Sequence, residues 1–250
     1  MKVIGIIPSR YASTRFPSKP LSMIKGKTMI QRVWEQAWKS KLDAVVVATD
    51  DMRIADEVLK FGGQYVLTDP NHRSGTDRCR EAMYMVGGQY DAVVNIQGDE
   101  PFIDLEQINQ VIELIGRVDT QLASLAKRIE DAEELFSPNV VKVVMDKQGN
   151  ALYFSRNPIP FMRNLDHDKW LQKGEFYKHI GLYAYKTETL CKVAEMQTTP
   201  LEEAESLEQL RWLENGLHIR MGITQRESIS IDTQEDLEKA LQFAQNQLKE

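Results

Sequence analysis

The chain of 250 residues predicts an α/β fold in a single domain (1–250), a mostly parallel sheet carrying an antiparallel insertion around residues 140–185. Three observations predict it. Short continuous runs of apolar, mostly β-branched residues, Val3–Ile7, Ala44–Ala48 and Ala92–Ile96, read as strands buried on both faces. Helical patterns fall between them, and strand–helix alternation builds a parallel sheet with right-handed crossovers. Beyond residue 140 the pattern changes to strand-like runs facing each other across a hairpin signal.

The first crossover helix is carried by Ile30, Val33, Trp34, Ala37 and Trp38, recurring at three- and four-residue steps. Asp50 or Asp51 then caps a helix with Ile54, Ala55, Val58 and Leu59 on one face, and Gly62-Gly63 ends it. A further helix fits Asp77–Val86, stopped by Gly87-Gly88. Asp104 opens the next, with Ile108, Val111, Ile112 and Ile115 inward and Gly116 at its close. In the second half, Val140–Val144 and Ala151–Phe154 flank Asp146–Asn150, where Gly149 is available for a positive φ. Phe176–Tyr185 reads as a long strand and Ser206–Glu214 as a helix closed by Asn215-Gly216. The last helix starts at Thr233, where Thr-x-x-Asp has the form of a capping box, and turns Leu237, Ala240, Leu241 and Ala244 inward.

Composition bounds the function. At 42% hydrophobic and 27% charged residues the chain is an ordinary globular protein. Thirty-one Lys and Arg against 37 Asp and Glu leave a net −6, which argues against nucleic acid as a partner but leaves room for anionic small ligands at local cations. Cys79 and Cys191 are far apart and support neither a disulfide framework nor a thiolate metal site; both are expected as buried thiols. No apolar stretch approaches the roughly 20 residues of a membrane helix, and the N-terminal run reads as a strand rather than a signal peptide. The expected place is the cytoplasm, away from the membrane.

Ligands of open parallel sheets bind beyond the carboxyl ends of the strands. The loop after Ile7 has neither the GxGxxG of dinucleotide folds nor a P-loop. It sets Arg10, Arg15 and Lys19 beside Ser13 and Thr14 between prolines, either as a solvated basic loop or as a cradle for a triphosphate. After Ile96 comes Gln97-Gly98-Asp99-Glu100-Pro101. Gly98 lets the backbone approach a ligand there, and Asp99 is either a turn or helix-capping residue or a carboxylate suited to Mg²⁺.

Together with His72–Arg78, these two loops resemble the 3-deoxy-manno-octulosonate cytidylyltransferase family. So do Tyr153–Arg156, His179–Tyr183, Leu201-Glu202, Leu207–Arg211 and Ile231–Thr233, in order along nearly the whole chain. The resemblance implies a Rossmann-like nucleotidyltransferase fold. It also implies a reaction in which CTP and the acidic eight-carbon sugar Kdo give CMP-Kdo and pyrophosphate with Mg²⁺, for lipopolysaccharide synthesis, in a homodimer whose dimerisation and sugar-binding parts fall around 140–185. Lys19, Arg15, Asp99 and Asp232 are implied as catalytic, with Asp99 and Asp232 on the metal. Pro8, Ser9, Arg10, Arg15, Lys19, Thr49, Asp50, Arg73, Ser74, Gln97 and Gly98 are implied to hold the nucleotide. Arg156, His179, Gly181, Tyr183, Glu208 and Gln209 are implied to line the sugar pocket. Two positions depart from the commoner pattern: Ser9 stands where Ala is usual, and Ser18 where Gly is usual.

Other candidates are read as structural. Trp34, Trp38, Trp170 and Trp212 are expected as packing or interface residues, and Glu202–Glu205 with Arg211-Trp212 as solvated helix faces. A CMP-sialic acid synthetase is argued against by the order Ser13–Pro20, and a catalytically silent sensor by the presence of both Asp99 and Asp232.

Overall fold

A computed structural model describes residues 1–12, 16–227, 229–238 and 241. The chain opens with β1 (Val3–Ser9) and, past the first loop, a 3-10 turn at Lys19–Leu21. A small ribbon of β2 (Met23–Ile24) and β3 (Lys27–Thr28) leads into α1 (Met29–Lys39). Then β4 (Ala44–Thr49), α2 (Met52–Lys60), β5 (Gln64–Leu67), α3 (Gly75–Val86), β6 (Ala92–Asn95) and α4 (Leu105–Ile115) alternate. Of the two caps expected for α2, Asp51 accepts the Arg53 N–H. Asp104 caps α4, and Ser74 caps α3, which starts at Gly75, two residues before the expected Asp77; both helix starts are reciprocal capping boxes.

The second half contains β7 (Leu122–Arg128), α5 (Ala132–Phe136), β8 (Lys142–Met145), β9 (Ala151–Ser155), α6 (Trp170–Lys173) and β10 (Tyr177–Lys186). It closes with α7 (Thr187–Glu195), α8 (Pro200–Glu205), α9 (Glu208–Glu214) and β11 (Arg220–Thr224). The sheet order is β11-β7-β10-β6-β1-β4-β5. Strands β6, β1, β4 and β5 pair in parallel, β11 pairs in parallel with β7, and β10 runs antiparallel between β6 and β7. The antiparallel segment is therefore woven into the middle of the sheet. The expected hairpin is β8–β9, turned with Gly149 at φ 83° and joined to the sheet through β10.

Residues of β1 explain the continuous apolar runs. Val3 and Ile7 point into one core with Ile30, Val33, Ile108 and Val111, while Ile4 and Ile6 point into another with Phe154, Tyr185, Leu210 and Trp212. Both faces of the strand are covered, so Val3–Ile7 has no polar side chain; the first one, Ser9, comes at the strand's end.

Three expectations are corrected. The helix expected over Ser206–Glu214 starts at Glu208, because Ser206 adopts φ 52° and ψ 50° and ends α8 instead. In the acidic run Glu203 and Ala204 are exposed as expected, but Glu202 and Arg211 are not part of a solvated face. Arg211 and Glu202 are only 12% and 14% exposed and pair through two hydrogen bonds of 2.7 and 2.8 Å, and Trp212 is buried. Cys79 is buried, but Cys191 is partly exposed beside the Tyr84 hydroxyl, 3.1 Å away. Trp34, Trp170 and Trp212 pack in cores as expected, whereas Trp38 is exposed and stacks on Trp34.

Candidate active site

A cleft of about 370 Å³ opens beyond the carboxyl ends of β1 and β6, where the strand order reverses direction. Of the implied nucleotide residues, Pro8, Ser9, Arg10, Lys19, Arg73, Ser74, Gln97 and Gly98 line it, together with Asp99 and Asp232. Arg15 lies outside the described residues. His72, Gly75 and Arg78, which belong to the segment His72–Arg78 but carry no role of their own in the resemblance, also line the cleft.

The first loop is closed where the Ser18 N–H donates to the Tyr11 carbonyl (3.1 Å), with Ser18 at φ 57°. That turn starts the Lys19–Leu21 helical segment and aims Lys19 inward. The Lys19 ammonium donates to Asp99 Oδ2 at 2.8 Å and to Asp232 Oδ1 at 3.2 Å, with the lysine side chain only 13% exposed. The two aspartates, 133 positions apart, therefore meet on one cation. Asp99 sits in the turn after β6 and caps no helix; that role falls to Asp104. Gly98 lines the cleft and is also needed for a contact within the protein: a Cβ there would lie 2.9 Å from the Pro8 carbonyl, so the first loop touches the Gln97–Pro101 loop, the third at this sheet edge after those following β1 and β4, backbone to backbone.

Asp232 is placed by its neighbours. The short apolar run Ile229–Ile231 reads from the sequence as strand-like, but it forms no strand. Instead the Ile231 N–H donates to the Asp99 carbonyl (2.9 Å), and the Ile231 side chain is buried with Ile24, Met29 and Leu237. Thr233 and Asp236 then form the expected reciprocal cap, Thr233 N–H to Oδ2 at 2.9 Å and Asp236 N–H to Oγ1 at 3.1 Å. Leu237 packs inward as expected, and Leu241 packs against the same cluster, while Ala240 and Ala244 lie outside the described residues.

Thr49 and Asp50 stand behind the cleft. Thr49 is fully buried, and Asp50 Oδ2 accepts from buried Arg78 at 3.0 Å. Arg78 also donates to Thr68 Oγ1, whose own hydroxyl donates to the Thr49 carbonyl. These groups thus hold the Arg78 guanidinium, which reaches the cleft wall.

Among the residues implied for the sugar, those of β10 lie at a bulge. Ile180 faces Leu125 and Tyr183 faces Ser124, leaving Gly181 and Leu182 unmatched. A Cβ on Gly181 would lie 3.6 Å from the Glu100 carboxylate and 3.8 Å from Gln97, which brings the bulge against the third loop. Ser124 Oγ is 3.1 Å from both the Ile180 carbonyl and His179 Nε2. Donating to the carbonyl leaves it to accept from Nε2–H, a tautomer assigned from this network. Packed against Phe154 and Tyr183, the His179 imidazole has its pKa lowered to about 3 by burial, so the ring is neutral near pH 7. Burial raises the Tyr183 hydroxyl well above its usual value. Glu208 accepts from Thr76 Oγ1 (2.9 Å) and Arg211 (3.4 Å); burial, the largest influence, raises its carboxyl pKa. Gln209 is buried on the same helix.

None of the six implied sugar residues is among those lining the cleft, and Arg156 is turned into the protein. Its guanidinium donates to three backbone carbonyls, Nε to Glu205 (2.7 Å), Nη1 to Pro138 (3.0 Å) and Nη2 to Ser206 (3.3 Å). Buried Lys142 makes a parallel arrangement with the carbonyls of Ser137, Val140 and Arg156, and its pKa is lowered by burial. Both cations clamp loops together.

Among the described residues no cluster of three or more His, Cys, Asp or Glu would hold a metal alone. The converging pair Asp99 and Asp232 fits Mg²⁺ all the same. That ion commonly takes one or two carboxylates and completes its shell with substrate phosphates and water, and the Lys19 ammonium is already a cation at the meeting point.

The cytidylyltransferase family model matches residues 4–229. The chain is 56% identical over 250 residues to a 3-deoxy-manno-octulosonate cytidylyltransferase of Parabacteroides distasonis, covering 98% of this chain and 99% of that one. A relative of the same name from Bacteroides thetaiotaomicron is 54% identical over 250 residues, covering 98% and 99%. The chain belongs to the 3-deoxy-manno-octulosonate cytidylyltransferase family. A solved CMP:2-keto-3-deoxy-manno-octonic acid synthetase complexed with CTP superposes with a TM-score of 0.91 at 38% identity, covering 99% of this chain and all of that one. This cytidylyltransferase is thus an enzyme with the α/β fold its sequence predicts. Among the described residues no helix is long and apolar enough to cross a membrane.

Proposed function

We propose that this cytidylyltransferase transfers CMP from CTP to Kdo, releasing pyrophosphate, with Mg²⁺ held by Asp99 and Asp232. The observation that carries this reading is the convergence of Lys19, Asp99 and Asp232 at the edge of a cleft walled by the family's loops. Arg10, Lys19 and Arg73 surround the triphosphate with cations, joined by Arg15 on the resemblance. The start of α3 at Ser74-Gly75 adds backbone N–H groups of a helix terminus. Pro8–Arg10 and Gln97 bound a small pocket for the base. When bound, Mg²⁺ offsets charge on the leaving pyrophosphate and makes the anomeric hydroxyl of the sugar more acidic.

The sugar sits against the β10 bulge. His179, being neutral, reads hydroxyls rather than the carboxylate, with Gly181 leaving room beside Glu100 and with Tyr183, Glu208 and Gln209 nearby. Arg156 serves as a positioning residue that holds the 205–206 junction ahead of Glu208 and Gln209. The enzyme works as a cytoplasmic homodimer that feeds lipopolysaccharide synthesis.

Pyrophosphate release measured across CTP, ATP and GTP with Kdo, an amino-substituted analogue and sialic acid tests the proposal. CTP is expected to be preferred, because a site built to satisfy the edges of one base leaves groups unpaired with another. Equal kcat/KM for CTP and ATP, preference for sialic acid, or no turnover with any pair overturns it.

A further inference from the structure

We propose that in the nucleotide-free enzyme Lys19 stands in for the metal, and that the triphosphate must draw it away before the metal site forms. The inference rests on the reading of Asp99 and Asp232 as metal ligands. Two carboxylates brought to one point repel unless a cation lies between them. Here the cation is the Lys19 ammonium, 2.8 Å from Asp99 Oδ2 and 3.2 Å from Asp232 Oδ1. At 13% exposure the lysine side chain is screened far less than a surface residue. An ammonium and a divalent ion cannot both occupy that point, because their charges repel at contact range.

The surroundings allow the lysine to leave. Its backbone is fixed by the Ser18 turn and by Pro20, while its four-carbon stem is flexible and ends in a point charge with no preferred partner geometry. Lys19 also lines the same cleft as Arg10, Arg73 and Ser74. A triphosphate there offers the ammonium a second anionic partner within the sweep of its side chain. As the ammonium moves to phosphate, the two carboxylates are released to a divalent cation. Nucleotide and metal then raise each other's affinity by the same factor, as linkage requires. Metal binding without nucleotide is weakened by the fraction of molecules in which the lysine holds the site.

The test is a Mn²⁺ titration of the full-length, nucleotide-free enzyme followed by electron paramagnetic resonance. If the lysine holds the site in about 90% of molecules or more, Lys19→Met binds Mn²⁺ at least about tenfold tighter than wild type. Lys19→Gln, a second neutral variant, should behave alike, whereas Lys19→Arg, which keeps the charge, should stay weak. Adding Asp99→Asn to Lys19→Met should abolish the gain. Equal Mn²⁺ affinity in wild type and both neutral variants overturns the stand-in role while leaving the metal reading intact. A gain that survives Asp99→Asn, or no Mn²⁺ binding by any of these proteins, overturns both.

Discussion

Ser18 holds φ 57° with a β-carbon, in a region that costs an ordinary residue roughly 1–2 kcal/mol. Its N–H to Tyr11 and its side chain to the Pro17 carbonyl (2.6 Å) hold it there. Ser18→Gly is expected to stabilise the protein by about 1 kcal/mol, raising Tm by about 2–4 °C in a chain this long, as read by thermal unfolding. A lower Tm would mean that the serine hydroxyl contributes more than the strain costs. Arg156 raises a different question at the same scale. Because its fork donates to three backbone carbonyls, Arg156→Ala should lower stability by roughly 1–3 kcal/mol and raise KM for Kdo more than KM for CTP. A raised KM for Kdo with unchanged Tm would instead place the guanidinium on the substrate.

At the scale of elements, β10 lies between β6 and β7. Its bulge at Gly181-Leu182 brings Gly181 against the loop after β6, and Ser124 on β7 locks the bulge through the Ile180 carbonyl. His179 prefers its neutral form in the fold, with a pKa near 3 against about 6.5 when unfolded. The stability that comes from holding it neutral is complete above pH 6.5 and is lost as pH falls from there toward 3. The Tm of wild type should therefore fall more steeply between pH 6.5 and 4 than that of His179→Gln. Parallel curves would show that the ring charges freely in the fold. The helices explain what was legible at this scale. Asp104 and Thr233 are capping residues whose partners lie three residues away, so local spacing reveals them, whereas the sequence reading starts α3 at Asp77, the partner of the true cap Ser74. Strands β5, β7 and β11 were not read: β7 is Leu-Ala-Ser-Leu-Ala-Lys-Arg, β11 contains Gly222, and β5 is a half-exposed edge. Such residues have little strand preference of their own and are held by their neighbours in the sheet.

At the scale of the molecule, the site depends on contacts between distant parts of the chain. Asp99→Asn and Asp232→Asn should each leave the far-ultraviolet spectrum intact and lower kcat by about 100-fold or more, as loss of preorganised charge stabilisation does. Near-normal turnover of either variant at limiting Mg²⁺ would exclude that carboxylate from the chemistry. The sequence by itself determined the fold class, the family, the loops that wall the cleft and the hairpin at Gly149, because each is written in contiguous residues whose spacing or conformational demand is local. Tertiary structure alone decided that Lys19 bridges Asp99 and Asp232, that Arg156 and Arg211 bind within the protein, that Gly98 yields to the Pro8 carbonyl, and that His179 is neutral. Those outcomes depend on which groups become neighbours across tens or hundreds of positions and on how much water is excluded around them, and the order of residues along a chain does not specify either quantity.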